Sequence, residues 1–338
     1  MVEIDGNYLE GGGQIVRTSI AMSVITGKSV HICNIRKGRK NPGLRPQHLE
    51  AIAGMARISN ASVDGLRIQS QDITYCPGAM QGGSFTIDTQ TAGSVTLIMQ
   101  TILPVAIYHD QPFHWIIKGG TAVPFSPSIT YFEHVFCFYL RSMGIPISVH
   151  INKHGFYPAG GGEVIVSTKP AQIKSIEMIE RGDLDKIKVF SIASHHLKEK
   201  RVAERMSDGF RKIMDHARFE TSYVNTRSPG CCVTALATYD KGCCIGVSTL
   251  GEIRKRAEDV GRDAARHLTD GQKTGACIDS WMVDQIIPYM AMATIKTKLN
   301  SKVRIPCLTR HAETNIDVVK KFLPVDFDIK NNILTCSG

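Results

Sequence analysis

No stretch of this chain approaches the roughly 18 consecutive apolar residues that a membrane-spanning helix needs, which argues against a bilayer-embedded protein. The opening residues, Met1-Val2-Glu3-Ile4-Asp5, have neither a basic n-region nor an apolar h-region. A cytoplasmic protein without membrane contact is therefore expected. There is no CxxC pair among the 10 cysteines. The vicinal pairs Cys231-Cys232 and Cys243-Cys244 have poor spacing for zinc and are expected as reduced, small apolar residues on strands. No glycine cluster is followed by Lys-Ser or Lys-Thr, which excludes a Walker-type phosphate loop.

What is present is ample core material. A chain of 338 residues, 43% hydrophobic and 21% charged, can hold one large domain and a smaller one. The net charge of +9 and pI near 9.0 favour an anionic partner. Distribution is more telling than the total. Arg36, Lys37, Arg39, Lys40 and Arg45 stand among Gly38, Pro42 and Gly43 without helical spacing, which reads as a loop armed with cations.

The chain also repeats itself. Glu10-Gly11-Gly12-Gly13-Gln14 opens a buried helix through Ile15, Ile20, Met22 and Ile25 that ends at Gly27. About eighty residues on, Ser84 to Asp88, the turn Ala92-Gly93-Ser94 and the apolar run Val95 to Tyr108 follow the same order. Ile4-Asp5 and Ile87-Asp88 occupy comparable places. A third echo is Gln285-Ile286-Ile287-Pro288 against Gln100-Thr101-Ile102-Leu103-Pro104, where a proline is reused inside an apolar helix. Second helices are expected after Pro46 and after Ser126-Pro127.

Between about Lys186 and Leu268 the texture changes. Strand Ile187 to Ala193, helix Val202 to Ala217, strands around Val233 and Val247 and a helix Glu252 to Leu268 are predicted there. Ile253, Ala257, Val260, Ala264 and Leu268 should line one face of that last helix. These elements read as an inserted α/β domain at 184–276, interrupting a large domain formed by 1–183 and 277–338.

Three places carry chemistry. The Glu10 to Gln14 turn sets backbone N–H groups beside a helix N-terminus, where a phosphate is stabilised, and adds a carboxylate able to hold a divalent metal. His154-Gly155-Phe156-Tyr157-Pro158-Ala159 leads into a second triplet, Gly160 to Gly162. His311 lies between a predicted strand, Val303 to Leu308, and a helix bearing Ile316, Val319 and Phe322, with Thr314 as the expected N-cap. A neutral imidazole exposed there can attack phosphorus and pass the group on. A lone histidine is ordinarily structural, and His195-His196, without an acidic or cysteine companion, is read that way.

Taken together, Glu10 to Arg17, Ile35 to Leu49, Ala92-Gly93-Ser94, His154 to Gly162 and His311-Ala312-Glu313-Thr314-Asn315 resemble the RNA 3′-terminal phosphate cyclase family, in order over nearly the whole chain. The resemblance implies an α/β (α+β type) fold of three repeated βαβαββ units with a smaller inserted α/β domain. It implies a ligase in RNA processing that uses ATP and a divalent metal, Mg or Mn, to turn an RNA 3′-phosphate into a 2′,3′-cyclic phosphodiester, through a histidine-AMP intermediate. On this likeness His311 is the adenylated histidine, Glu10 the metal ligand and Gln100 a nucleotide contact. Trp281, Met282, Val283, Asp284 and Gln285 form the nucleotide-binding segment, while Arg17, Arg39, Gln47 and His48 line the phosphate and RNA-end site. The partners implied are RNA and ATP, and a homodimer is left open.

Two positions depart from the family pattern. Ala122 follows Gly119-Gly120-Thr121 where an acidic or amide residue is usual, and Thr130 replaces a usual aspartate. The same fold is used by a ribosome-assembly protein that is not a cyclase and lacks the nucleophilic histidine, so His311 favours the enzyme. Enolpyruvyl transferases share similar repeats without needing this motif, and an adenylyltransferase acting on other nucleic-acid ends is a third alternative.

Overall fold

The computed structural model describes every residue from Met1 to Gly338. The first unit runs β1 (Val2–Asp5), α1 (Gly13–Thr26), β2 (Val30–Cys33), α2 (Pro46–Ile58), β3 (Ser62–Asp64) and β4 (Ile73–Cys76). The second runs β5 (Gly83–Asp88), α3 (Val95–Tyr108), β6 (Phe113–Gly119), α4 (Ile129–Tyr131), a π-helical turn Phe132–Phe136, α5 (Cys137–Ser142), β7 (Ile147–Lys153) and β8 (Gly162–Thr168). The third begins with the two-residue β9 (Glu177–Met178) and is then interrupted.

The interruption comprises β10 (Leu184–Ser194), α6 (Val202–Arg211), β11 (Arg218–Val224), β12 (Cys231–Tyr239), β13 (Cys244–Leu250) and α7 (Ala257–Lys273). The third unit then resumes with α8 (Ser280–Thr297), β14 (Ser301–Arg304), α9 (Arg310–Phe322), β15 (Asp326–Lys330) and β16 (Ile333–Ser337).

The three units build the same sheet. Their orders are β1-β2-β4-β3, β5-β6-β8-β7 and β9-β14-β16-β15, and in each the first two strands are parallel and the remaining pairs antiparallel. A parallel pair requires a crossover, and the first helix of each unit supplies it. Ile4-Asp5 and Ile87-Asp88 therefore are equivalent, each ending a first strand. Pro104 and Pro288 both sit inside first helices, α3 and α8, as the repeated Gln…Pro segments predict.

Helix α1 is buried on nearly every side from Gln14 to Ile25, so its sequence lacks an amphipathic stripe, and Gly27 stops it in the left-handed conformation at φ 69°. One core of 67 buried residues runs through the three units and takes in Leu236 and Cys244 of the insertion, whereas a separate core of 21 lies under the β11-β10-β12-β13 sheet. The two are joined by polar bonds: Ser128 Oγ to Thr234 Oγ1 at 2.9 Å and Gly246 N to Asp279 Oδ2 at 3.0 Å. The His134 ring also stacks on Phe190, 4.6 Å between centroids.

Several expected boundaries move. Strand β14 ends at Arg304 rather than Leu308, because Pro306 cannot donate to the ladder. Helix α9 is capped by Thr309, whose hydroxyl accepts from Ala312 N at 3.1 Å, and Thr314 lies inside the helix. Helix α6 stops at Arg211, after which the chain turns and buries Met214. Helix α7 begins at Ala257 rather than Glu252, since Arg254 takes a left-handed φ of 70°, and Ile253 is left 95% exposed instead of facing the core. All ten cysteines are free, and Cys232, Cys243 and Cys244 are buried as small apolar residues. No helix is long and apolar enough to cross a membrane.

Candidate active site

The first turns of α1 and α9 and the second turn of α8 converge on one polar crevice. Gln14, on α1, donates its amide Nε2 to Asp284 Oδ2 at 2.5 Å and places its Oε1 2.5 Å from His311 Nδ1. Ionised Asp284 has nothing to donate, so above its pKa of about 7 the amide NH2 faces the carboxylate and the carbonyl faces the imidazole. His311 Nδ1 then carries the proton, and Nε2 keeps a free lone pair. Asn315 Nδ2 donates to the Asp284 backbone carbonyl at 2.8 Å, and Thr18 Oγ1 donates to Asn315 Oδ1 at 2.7 Å, locking the three helices together.

Glu10 stands on the other side of His311, its Oε1 3.8 Å from Nε2. Arg39 from the basic loop pairs with that carboxylate and donates to the Glu10 carbonyl at 2.9 Å. The loop itself is pinned by Asn7 Oδ1, which accepts from Gly38 N at 2.9 Å, and by Arg36, which donates to the carbonyls of Asn41 and Gly43. It is irregular, as the scattered cations predict.

The glycine turn is required by close approach rather than by flexibility alone. A Cβ on Gly13 would lie 2.2 Å from His48 Nε2 and 3.2 Å from Arg17 Nη1. A Cβ on Gly12 would lie 2.2 Å from Glu10 Oε2. That oxygen is buried and has no hydrogen-bond partner.

Burial sets the charge states. His311, its side chain 52% exposed, is held below its ordinary pKa by partial desolvation, helped by Arg17 and Arg39, so the neutral form persists at lower pH. Burial brings Arg17 down to about 10, still a cation, against the raising effect of Asp284. Asp284 is pushed up to about 7 by burial, opposed by Gln14 and Arg17. His48 falls to about 3 through burial and then Arg17, Arg36 and Arg45, so it is neutral, with Nδ1 accepting from Arg45 N at 3.1 Å.

The crevice also takes in Gln100, whose Nε2 donates to Gln285 Oε1 at 2.9 Å, and Gln285 donates in turn to the Trp281 carbonyl at 2.6 Å. Trp281 is 42% exposed on the first turn of α8, edge-on to Tyr131 with 5.7 Å between centroids. Met282 and Val283 bury their side chains in the core beneath it. Gln47 is turned toward the second unit, where its Oε1 accepts from Ser94 N at 3.3 Å. Ala122 and Thr130 are both buried, Ala122 against Phe156 and Cys232.

Glu10, Arg17, Arg39, His48, Asp284, Gln285, Gln100 and His311 are thus assembled from all three units. The bridging residue that sequence reasoning left without a role is Gln14. Its signal was its place in the Glu10 to Gln14 turn, but the histidine it serves is 297 residues away.

An RNA 3′-terminal phosphate cyclase family profile matches residues 8–329. The chain belongs to that family. It is 40% identical over 334 residues to the RNA 3′-terminal phosphate cyclase of Pyrobaculum neutrophilum, covering 97% of this chain and 95% of that protein. The corresponding protein of Saccharolobus solfataricus is 42% identical over 338 residues, with 97% and 96% covered, and that of Pyrococcus furiosus 37% identical over 339 residues, with 98% and 96% covered. Family membership fits the α/β fold of repeated units and makes this chain an enzyme.

Proposed function

We propose that this enzyme converts an RNA 3′-terminal phosphate to a 2′,3′-cyclic phosphodiester at the expense of ATP, with His311 carrying AMP. The observation that carries this reading is the Asp284–Gln14–His311 chain of hydrogen bonds, which holds the imidazole as the tautomer with a free Nε2. In the first step the Nε2 lone pair forms a bond to the α-phosphorus of ATP and pyrophosphate leaves. In the second, an oxygen of the RNA 3′-phosphate attacks that phosphorus, the P–N bond breaks and neutral His311 is regenerated. In the third, the adjacent 2′-hydroxyl oxygen attacks the activated RNA phosphorus, loses its proton and expels AMP. The last attack is intramolecular and needs alignment more than further catalysis.

Arg17 and Arg39 supply fixed positive charge where negative charge gathers as pyrophosphate departs. Arg17, Arg39, Gln47 and His48 are proposed to hold the RNA end, and Gln100 with Trp281 to Gln285 the nucleotide. The half-exposed Trp281 offers a face for adenine, while the buried Met282 and Val283 contribute through position alone. A divalent metal, Mg or Mn, fits at Glu10, whose Oε2 is buried without a partner. No group of three ligating side chains surrounds it, so phosphate oxygens and water would complete such an ion's shell. When bound, the ion would offset charge on the triphosphate. We further assign residues 184–276 as an inserted domain, on the strength of its separate core.

Incubation with α-labelled ATP and a divalent ion should leave acid-labile, alkali-stable label on the protein, and His311→Ala should abolish it. Label that survives the substitution would overturn the mechanism. A 3′-phosphorylated RNA oligomer should acquire a phosphatase-resistant end, whereas a 2′-deoxy terminus should stop at the adenylated end. A folded wild-type protein that takes no label would equally overturn the mechanism.

A further inference from the structure

The inserted sheet has one end where charge and exposed side chains accumulate. Strands β10 and β11 finish there, β12 starts there and β13 finishes there, because Ser194 pairs with Val224 and Cys232 with Leu250. The connecting segments at that end are therefore 195–201, 225–230 and 251–256. They carry Lys198, Lys200, Arg201, Arg227, Arg254 and Arg256, all exposed. None of these lies within 4.0 Å of a carboxylate, whereas Lys255 in the same stretch is held by Asp263 at 2.8 Å. The carboxylates of these segments are only Glu199 and Glu252. Six free cations against two acids make this end strongly positive.

This end abuts the large body beside the site. Ala159 N donates to Ser228 Oγ at 3.0 Å, Gly161 lies against the Arg227 side chain and Gly230 against the Phe156 ring. Phe156 bridges to Ala122, Thr121 N donates to the Gly155 carbonyl at 2.8 Å, and Gly120 bridges to Ser94. Ser94 N in turn meets Gln47. A continuous line of backbone and side-chain contacts thus leads from the inserted end to the N-terminus of α2. Two large aromatics stand out of these loops with no packing reason. Tyr157 is 65% exposed, and Phe125 is completely exposed on a left-handed φ of 64°, a strained conformation for a bulky residue.

We propose that this end of the inserted sheet, with Tyr157 and Phe125, is the track along which the RNA strand behind the 3′-terminal nucleotide is held. Unpaired cations following a backbone, with aromatics on which bases stack, are the chemistry of sequence-independent single-strand binding. The inference rests on the proposed RNA reaction. It makes the inserted domain the source of affinity for the strand and leaves the chemistry to the three units.

The test compares 3′-phosphorylated RNAs of two and fifteen nucleotides, bound to the wild type and to Lys198→Ala/Lys200→Ala/Arg201→Ala by fluorescence anisotropy across a salt series. The wild type should bind the longer RNA the more tightly. The variant should lose roughly tenfold or more on the fifteen-mer and reduce its salt slope by about 2, as expected for three phosphate contacts to a single strand. The dinucleotide should be held equally by both. Arg254→Ala/Arg256→Ala should also weaken the fifteen-mer, with a salt slope lower by about 1.4, and Tyr157→Ala should weaken it about tenfold with an unchanged salt slope. Label on His311 from ATP, which needs no RNA, reports separately on the underlying mechanism. Equal fifteen-mer affinity in wild type and variants, or equal weakening of both RNAs, would overturn the track. So would a surface that binds another protein and no RNA.

Discussion

Replacing Gln14 by leucine, which has similar volume and no polar atoms, removes both hydrogen bonds between His311 Nδ1 and Asp284. One such bond contributes roughly 0.5–1.5 kcal/mol, and loss of orientation adds to it. The population of imidazole with its Nε2 lone pair aimed at the α-phosphorus should fall accordingly. We expect the rate constant for His311 adenylation to drop roughly ten- to a hundredfold. The Asp284 oxygen left without its donor should cost about 1–3 kcal/mol of stability. The assay is single-turnover transfer of label from saturating ATP, without RNA, as a function of pH. Arg17 and Arg39, which help depress the pKa of His311, remain in place, so the plateau should fall while the acid limb stays where it was. Gln14→Glu keeps an acceptor for Nδ1–H but sets a carboxylate against Asp284. It should recover activity as pH falls and the two carboxyls come to share a proton. A folded Gln14→Leu enzyme with a plateau within about twofold of wild type would refute the tautomer argument.

Other consequences are equally direct. Gly13→Ala drives a Cβ onto the buried His48 ring and toward Arg17, so urea unfolding should show a loss of about 1–3 kcal/mol together with loss of adenylation. Unchanged stability would mean that the ring is free to move. Arg39→Gln removes one cation depressing His311 and frees Glu10, 3.8 Å from Nε2, to favour the imidazolium. The acid limb of adenylation should then move to higher pH, and a limb that stays or falls would contradict this account. Asp284 has a folded pKa of about 7, above its ordinary 3.8, so the folded state keeps a proton that the unfolded chain has released. Its contribution to stability is present below the ordinary value and is lost as pH rises through about 7. Asp284→Asn should therefore flatten the decline in unfolding free energy between about pH 4 and 7. Asp279, raised to about 6, leaves a residual slope of the same sign. Identical slopes in the two proteins would show that Asp284 does not titrate as described.

Much of the architecture is written locally. Gly27 ends α1, Pro46 opens α2, and the Gln…Pro segments of α3 and α8 repeat because each first helix must be buried by its neighbours. The break in the third unit leaves little local trace. Its first strand, β9, has only two residues, Glu177–Met178, and so offers no alternation to read before the inserted domain begins. Apolar spacing extends the α7 pattern back to Ile253, whereas the backbone at Arg254 turns out of the helix and α7 begins at Ala257.

The site divides along the same line. By itself the sequence determined which groups are available: a glycine turn bearing Glu10, a loop of clustered cations, and a histidine at the start of a helix. Those are properties of neighbouring residues, and turn and helix-start chemistry is local. Only the tertiary structure decided that His311 shares a hydrogen-bonded amide with Asp284, that Arg39 turns back to Glu10, and that the half-buried Arg17 lies near His311 and Asp284. These are contacts between different parts of the chain, fixed by how α1, α8, α9 and the basic loop pack. Helix periodicity tells which face of each is apolar, but not which polar ends will meet.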